Sequence, residues 1–252
     1  MNLIWHGTAS IEMVSESGRI LFDPFIPLRG VDVPVSVEDY DGFTDIIVTH
    51  GHFDHIASLP SIVKRNPQSL VYCTQTPYNT LLKKGLSEKN LKQIRFGESL
   101  EVNGFSIQVF HGRHAVLPKA SMQRISYAIK HPARGNLLYM LRESLMCREN
   151  DETVIYQIEA DGKTVMLLGS MNIRDEEEYP AGADLLVLPY NGWEDNFPPA
   201  VRIIERLQPK RVVLDHYDDT FPPLTMPVDL APILDRYGEK VTALELGKAV
   251  IV

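Results

Sequence analysis

The run Thr49-His50-Gly51-His52-Phe53-Asp54-His55 constrains this chain more than any other stretch. Four side chains able to hold a metal ion, His50, His52, Asp54 and His55, fall within six residues, directly after the apolar segment Asp45-Ile46-Ile47-Val48. That segment reads as a buried strand. In extended backbone, side chains two apart face the same way. His50 and His52 can therefore grip one ion, while Asp54 and His55 reach a second as the chain turns into its next element. Imidazole with carboxylate suits zinc, iron or manganese better than calcium or magnesium. The chain has only eight histidines in 252 residues, so chance rarely yields this spacing. The cluster also lies inside the chain, not at a terminus where a purification tag would sit. A metal centre follows.

Around that run, strand-like and helix-like segments alternate. Leu3-Ile4-Trp5, Ser10-Ile11-Glu12-Met13-Val14 and Arg19-Ile20-Leu21-Phe22 read as strands, with a hairpin turn at Ser17-Gly18. Residues 26–44 read as a loop. A helix is expected near 58–64 and a strand at 70–73. Thr76-Pro77 reads as a helix start with Thr76 as cap, and Gly85 as its end. A further short helix is expected over 87–93. Asn103-Gly104 marks a hairpin between strands at 99–102 and 105–110, the second running into His111-Gly112-Arg113-His114. Residues 115–150 break the pattern and read as an insertion or cap within one domain spanning 1–252. Strands then resume at 154–159, 164–168, 184–189 and 211–214, with helices near 200–207 and 228–237, and closing strands at 241–245 and 248–252. Strands precede helices twice, in two halves of similar size. The expected fold class is α/β, a four-layer αββα sandwich of two mixed sheets with helices outside. The candidate ligands sit at strand ends, where loops converge.

Composition narrows the function classes. A formal net charge of −8 argues against a chain built to coat nucleic acid. The four basic residues of 202–211 read as a solvated helix face. No apolar run is long enough to span a membrane, and the first residues lack the features of a secretory leader. Two cysteines, Cys73 and Cys147, give no disulfide framework, and Cys73 reads as a small apolar strand residue. The cytoplasm is the expected compartment. The expected partner is a small-molecule substrate, with self-association left open and no membrane.

His50-x-His52-x-Asp54-His55 after an apolar strand resembles the signature of the metallo-β-lactamase-fold hydrolases. Trp5-His6-Gly7-Thr8-Ala9-Ser10 and Leu21-Phe22-Asp23-Pro24-Phe25 are similar to the branch that contains L-ascorbate-6-phosphate lactonase. The resemblance extends across nearly the whole chain. It implies that His50 and His52 hold a first ion with a third histidine, His114, for which His111 is the rival. It implies that Asp54, His55 and His216 hold a second, and that Asp23 supports the site, although Asp23 before Pro24 also reads as a plain turn residue. One departure stands out. Where the family carries an Asp in a Gly-Asp element, this chain has Gly169-Ser170. Two nearby divalent ions need shared anions, so one tightly held ion, or two bridged by hydroxide, is expected. Asn172 or Asp184 could compensate, although neither is expected to. Gly7-Thr8 replaces a Gly-His, leaving the role of Thr8 open.

The implied function is that of a metal-dependent hydrolase, with Zn2+ first and Mn2+ or Fe as alternatives. A metal-activated water would attack a small ester, lactone or amide-type substrate, with Asp54 orienting it or relaying its proton. A phosphodiesterase or nuclease-type hydrolase is the alternative within enzymes. A weakly catalytic metal-binding interaction protein is the alternative outside them. His52, where a di-iron branch usually has a carboxylate, disfavours redox use. Tyr190-Asn191-Gly192-Trp193 reads either as pocket lining or as a surface turn. Arg113 reads as a surface ion pair or as a contact for an anionic substrate group.

Overall fold

A computed structural model describes residues 1–116, 122–191, 196–218, 220–223, 225 and 227–252, with the side chains of Gln123 and Arg124 left aside. Two seven-stranded sheets face each other. The first takes β1 (Asn2–Trp5), β2 (Ile11–Val14), β3 (Arg19–Phe22), β4 (Asp45–Ile47), β5 (Leu70–Cys73) and β6 (Leu91–Gln93) in sequence order, with β14 (Ala249–Ile251) on the edge of β1. The second runs from β7 (Ser99–Val102) and β8 (Phe105–His111) through β9 (Val154–Ala160), β10 (Lys163–Leu168), β11 (Leu185–Pro189) and β12 (Arg211–Asp215) to β13 (Val241–Ala243). Each sheet opens with an antiparallel meander and continues in parallel strands. Both sheets are mixed for this reason, and helices must carry the parallel crossovers.

Period-two alternation divides the apolar residues between two faces. Ile20, Phe22, Ile47, Val165, Val187 and Val213 fill the space between the sheets. Their neighbours point outward. Leu21, Ile46 and Val48 pack under α1 (Phe53–Ile56) and α2 (Leu59–Arg65). Leu186, Leu188 and Leu214 pack under α6 (Phe197–Leu207) and α7 (Ala231–Tyr237). Burial on both faces explains why these strands read as near-continuous apolar runs. On α6, Ala200, Ile203, Ile204 and Leu207 recur at helical spacing and are all buried. The result is the four-layer α/β arrangement expected from the sequence.

Two local expectations fail. The helix at Thr76 is α3 (Gln75–Lys83), and Thr74, not Thr76, precedes it. Thr76 instead donates its N–H and Oγ1–H to the two oxygens of Glu152, each at 2.7 Å. The region after Ser87 is a single 3-10 turn, Glu88–Asn90, and then β6, which pairs in parallel with β5. Asn90 donates its side-chain amide to the carbonyls of Pro67 and Ser69. The segment 115–150, between β8 and β9, carries α4 (Met122–Lys130) and α5 (Leu137–Met146). An ion pair of Lys84 with Glu143 ties α5 to the end of α3, and Met140 enters the core under the first sheet.

Candidate metal centre

The ligand run leaves the first sheet just after β4. Asp23, at the end of β3, is 1% exposed and takes a left-handed φ of 43° that turns its carboxylate toward that run. It accepts the Thr49 N–H at 2.8 Å and the Thr49 hydroxyl at 2.5 Å. Its Oδ2 also lies 2.8 Å from His55 Nδ1, which donates to it. The Thr49 hydroxyl has spent its hydrogen on Asp23, so toward His50 Nδ1, 3.1 Å away, it acts as acceptor. His114 Nδ1 donates to the Ala115 carbonyl at 2.7 Å. Three imidazoles thus have Nδ1 engaged by protein, which fixes the tautomer and leaves Nε2 for an ion.

The six histidine and aspartate positions singled out by the sequence converge in two triads. The ligand atoms of His50, His52 and His114 lie within 4.8 Å of one another, as do those of Asp54, His55 and His216. His52 begins the short helix α1, which carries Asp54 and His55 to the second triad. His114 arrives from the loop after β8, and His216 from the end of β12 with a left-handed φ of 59°. Thr8 explains that last turn. Its carbonyl accepts the His216 N–H at 2.9 Å and the Trp5 indole N–H at 2.7 Å, and its own N–H donates to Asp218. His111 is elsewhere: it stacks on Phe96 at 3.9 Å and bonds the Asp151 carbonyl.

Two glycines allow the backbone to come this close. A Cβ on Gly51 would lie 2.2 Å from the Arg148 carbonyl oxygen, and one on Gly169 would lie 2.5 Å from the Thr49 Cβ. Ser170 follows at the cavity wall, its Oγ accepting the Ala115 N–H at 3.0 Å. Neither proposed substitute reaches the site as a carboxylate. Asp184 bonds Lys210 and the Thr164 N–H, and Asn172 donates to the His114 carbonyl. Arg113 pairs with Glu176 at 3.5 Å. Tyr190 is core, Asn191 lines the cavity, and Gly192 and Trp193 lie outside the described residues.

The triads open into a cavity of about 260 Å³, walled by Phe53, Ser144, Cys147, Pro189 and Phe221 besides the groups above. Ser144, Cys147 and Phe221 carry no signature of a site in the sequence. Among the described lining residues Asp54 is the one carboxylate, and no Lys or Arg is present.

The triads differ electrostatically. Burial, then repulsion from His114, lowers His52 to about 4. Burial and the neighbouring imidazoles hold His50 well below its ordinary value, and burial lowers His114 too. In the second triad burial also opposes charge but loses. Asp54, 3.2 Å from His216 Nε2, raises His216 to about 9, and Asp23 and Asp54 raise His55. Burial alone would push Asp54 up, but His55 and His216 hold it well below the usual carboxylate range. Five imidazoles and one carboxylate, converging with no Lys or Arg among the described lining residues, fit a divalent transition metal.

A family profile described as a beta-lactamase superfamily domain matches residues 18–217. A UPF0173 metal-dependent hydrolase of Lysinibacillus sphaericus is 28% identical over 256 residues, covering 99% of each chain. One of Sulfolobus acidocaldarius is 33% identical over 73 residues, 29% of this chain and 32% of that relative, so the chain matches about a third of that relative's length. The crystal structure of the metallo-beta-lactamase fold protein YhfI from Bacillus subtilis is similar in fold, with a TM-score of 0.65 at 15% identity over 99% of this chain and 98% of that one.

Two predictions follow from the geometry. Asp23→Asn removes the charge that orients His55 and should weaken zinc binding about 10–100-fold, read by competition with a chromogenic chelator. Protons compete with metal where the folded pKa is raised: His216 is protonated below about 9, whereas His52 stays neutral until pH falls to about 4. Among the protein ligands, zinc uptake at pH 7 should therefore displace protons from the second triad only. Calorimetry in buffers of different ionisation enthalpy should show about one fewer proton released in His216→Ala.

Proposed function

We propose that this chain, which belongs to the beta-lactamase superfamily domain family, is a metal-dependent hydrolase acting on small, uncharged ester, lactone or amide-type substrates. The observation that carries this reading is the cavity itself. Six candidate ligands share it with apolar walls, and its described lining holds no Lys or Arg to pair with a phosphate. Beyond the ions themselves, a phosphodiester would find no basic side chain of that kind to replace the water its charge loses, so the uncharged substrate is favoured over the phosphodiesterase alternative.

His50, His52 and His114 would hold one ion, and Asp54, His55 and His216 the other. Zinc suits this donor set best, with manganese or iron next. Bound there, a divalent ion supplies Lewis acidity toward a substrate oxygen and makes water acidic enough to ionise near neutral pH. The protein supplies the rest. Asp54 remains a carboxylate, held so by the two imidazoles beside it, and is the group assigned to orient water. Phe53 and Phe221 exclude bulk solvent, and Asn191 brings a buried amide oxygen without a partner among the described residues, an acceptor for a substrate donor. Buried groups of this kind confer selectivity because leaving them unpaired is costly.

With Ser170 at the strand end, little negative charge is available for two dications, so one ion should be held much more tightly than the other. Elemental analysis after mild dialysis should find close to one ion per chain, and Ser170→Asp should retain a second. Turnover of chromogenic ester and lactone substrates should fall on the order of 100-fold or more in His216→Ala. Turnover confined to a chromogenic phosphodiester would overturn the substrate reading. No metal-dependent turnover on any of them would favour a metal-binding interaction protein.

A further inference from the structure

The insert shows the opposite of ordinary amphipathic packing. On α4, Met122, Ile125 and Ile129 recur at helical spacing and are all exposed, Met122 by 80%. None of the described residues of α4 is buried. On α5 the inward face is committed: Met140 and Glu143 are buried, and Ser144 and the following Cys147 wall the cavity. Its outward face is nevertheless apolar, with Leu138, Leu141 and Leu145 at the same spacing and Leu138 78% exposed. A helix apolar on both sides belongs between two layers. Among the described residues only one of those layers is protein.

Charge decides what the other layer is. Residues 112–142 contain six Lys and Arg and no Asp or Glu, so all 33 acidic residues lie elsewhere in a chain of net charge −8. Lys130, Arg134 and Arg142 are exposed beside the apolar stripes. A second copy docked symmetrically would bring these same cations together, because a two-fold contact pairs a patch with itself. An anionic lipid surface instead satisfies both features: acyl chains take the leucines and isoleucines, and headgroups take the bases. Screening confines the repulsion from the acidic remainder to within about 10 Å of its own surface. Among the described residues no helix is long and apolar enough to cross a membrane, which fits helices lying in the interface.

We propose that α4 and α5 form a peripheral docking surface for anionic membranes, placing the cavity wall at the lipid boundary. The test is co-sedimentation of the intact protein with vesicles of phosphatidylcholine alone or enriched in phosphatidylglycerol. Binding should require phosphatidylglycerol and weaken with salt. It should fall on the order of tenfold in Leu141→Glu and, independently, in Ile129→Glu, and roughly fivefold in Lys130→Gln. Unchanged circular dichroism and zinc content would show that these exposed substitutions leave the fold intact. Absence of vesicle binding, equal binding to phosphatidylcholine alone, or variants that bind like the wild type would overturn the proposal. A dimer in light scattering that Leu141→Glu dissociates, with no vesicle binding, would assign the surface to a second copy instead.

Discussion

The buried carboxylate of Asp23 is the interaction on which the remaining architecture rests. It sits where β3 ends, and its three donors all come from the segment that leaves β4: the Thr49 amide, the Thr49 hydroxyl and the His55 imidazole. An ionised group out of water is tolerable only when its lone pairs are occupied in this way. The same segment fastens the sandwich. The Thr49 carbonyl accepts the Val154 N–H, and the Val48 carbonyl accepts the Tyr156 hydroxyl at 2.7 Å, so both bonds cross from one sheet to the other. One short stretch thus closes the two sheets, orders the ligand run and sets the tautomers of His50 and His55.

The contrast between the two triads follows from this placement. Asp23 and Asp54 both bear on His55, and Asp54 also bears on His216, so carboxylates gather around the second triad and raise its imidazoles. His50, His52 and His114 meet desolvating walls first and also neighbouring imidazoles, His55 among them, and both lower them. The fold therefore presents neutral nitrogens on one side and a charged, proton-holding cluster on the other, within a single cavity. The carboxylates of Asp23, Asp54, Asp215 and Asp218 all bear on the second triad and produce that difference.

Much of this was legible in the sequence because local spacing encodes it. The strand before His50 is apolar on both faces, and the close ligand spacing survives folding since only one turn of helix intervenes. His216 was legible as a polar strand end. The choice between His114 and His111 needed three dimensions, because His111 ends the strand and His114 follows three residues later, and only the packing of His111 against Phe96 and its bond to the Asp151 carbonyl set it apart from the triad. Ser144, Cys147 and Phe221 were invisible as cavity walls: they bear no chemistry of their own, and long-range contacts bring them there. Thr8, whose role the sequence left open, is the peg on which the His216 turn hangs. β6 was misread as helix because three residues are too few to display a period.

The close crossing of Gly51 and Arg148 has a mechanical meaning. The end of the insert passes against the backbone between His50 and His52 with no room even for a methyl group. Interiors this dense transmit displacement instead of absorbing it. Arg148 lies two residues past α5, so a displacement of the end of that helix would press on Gly51, between two imidazoles whose ring nitrogens are 3.2 Å apart. Whatever seizes the outer face of the insert has a lever on the centre beneath it, with its fulcrum at a glycine.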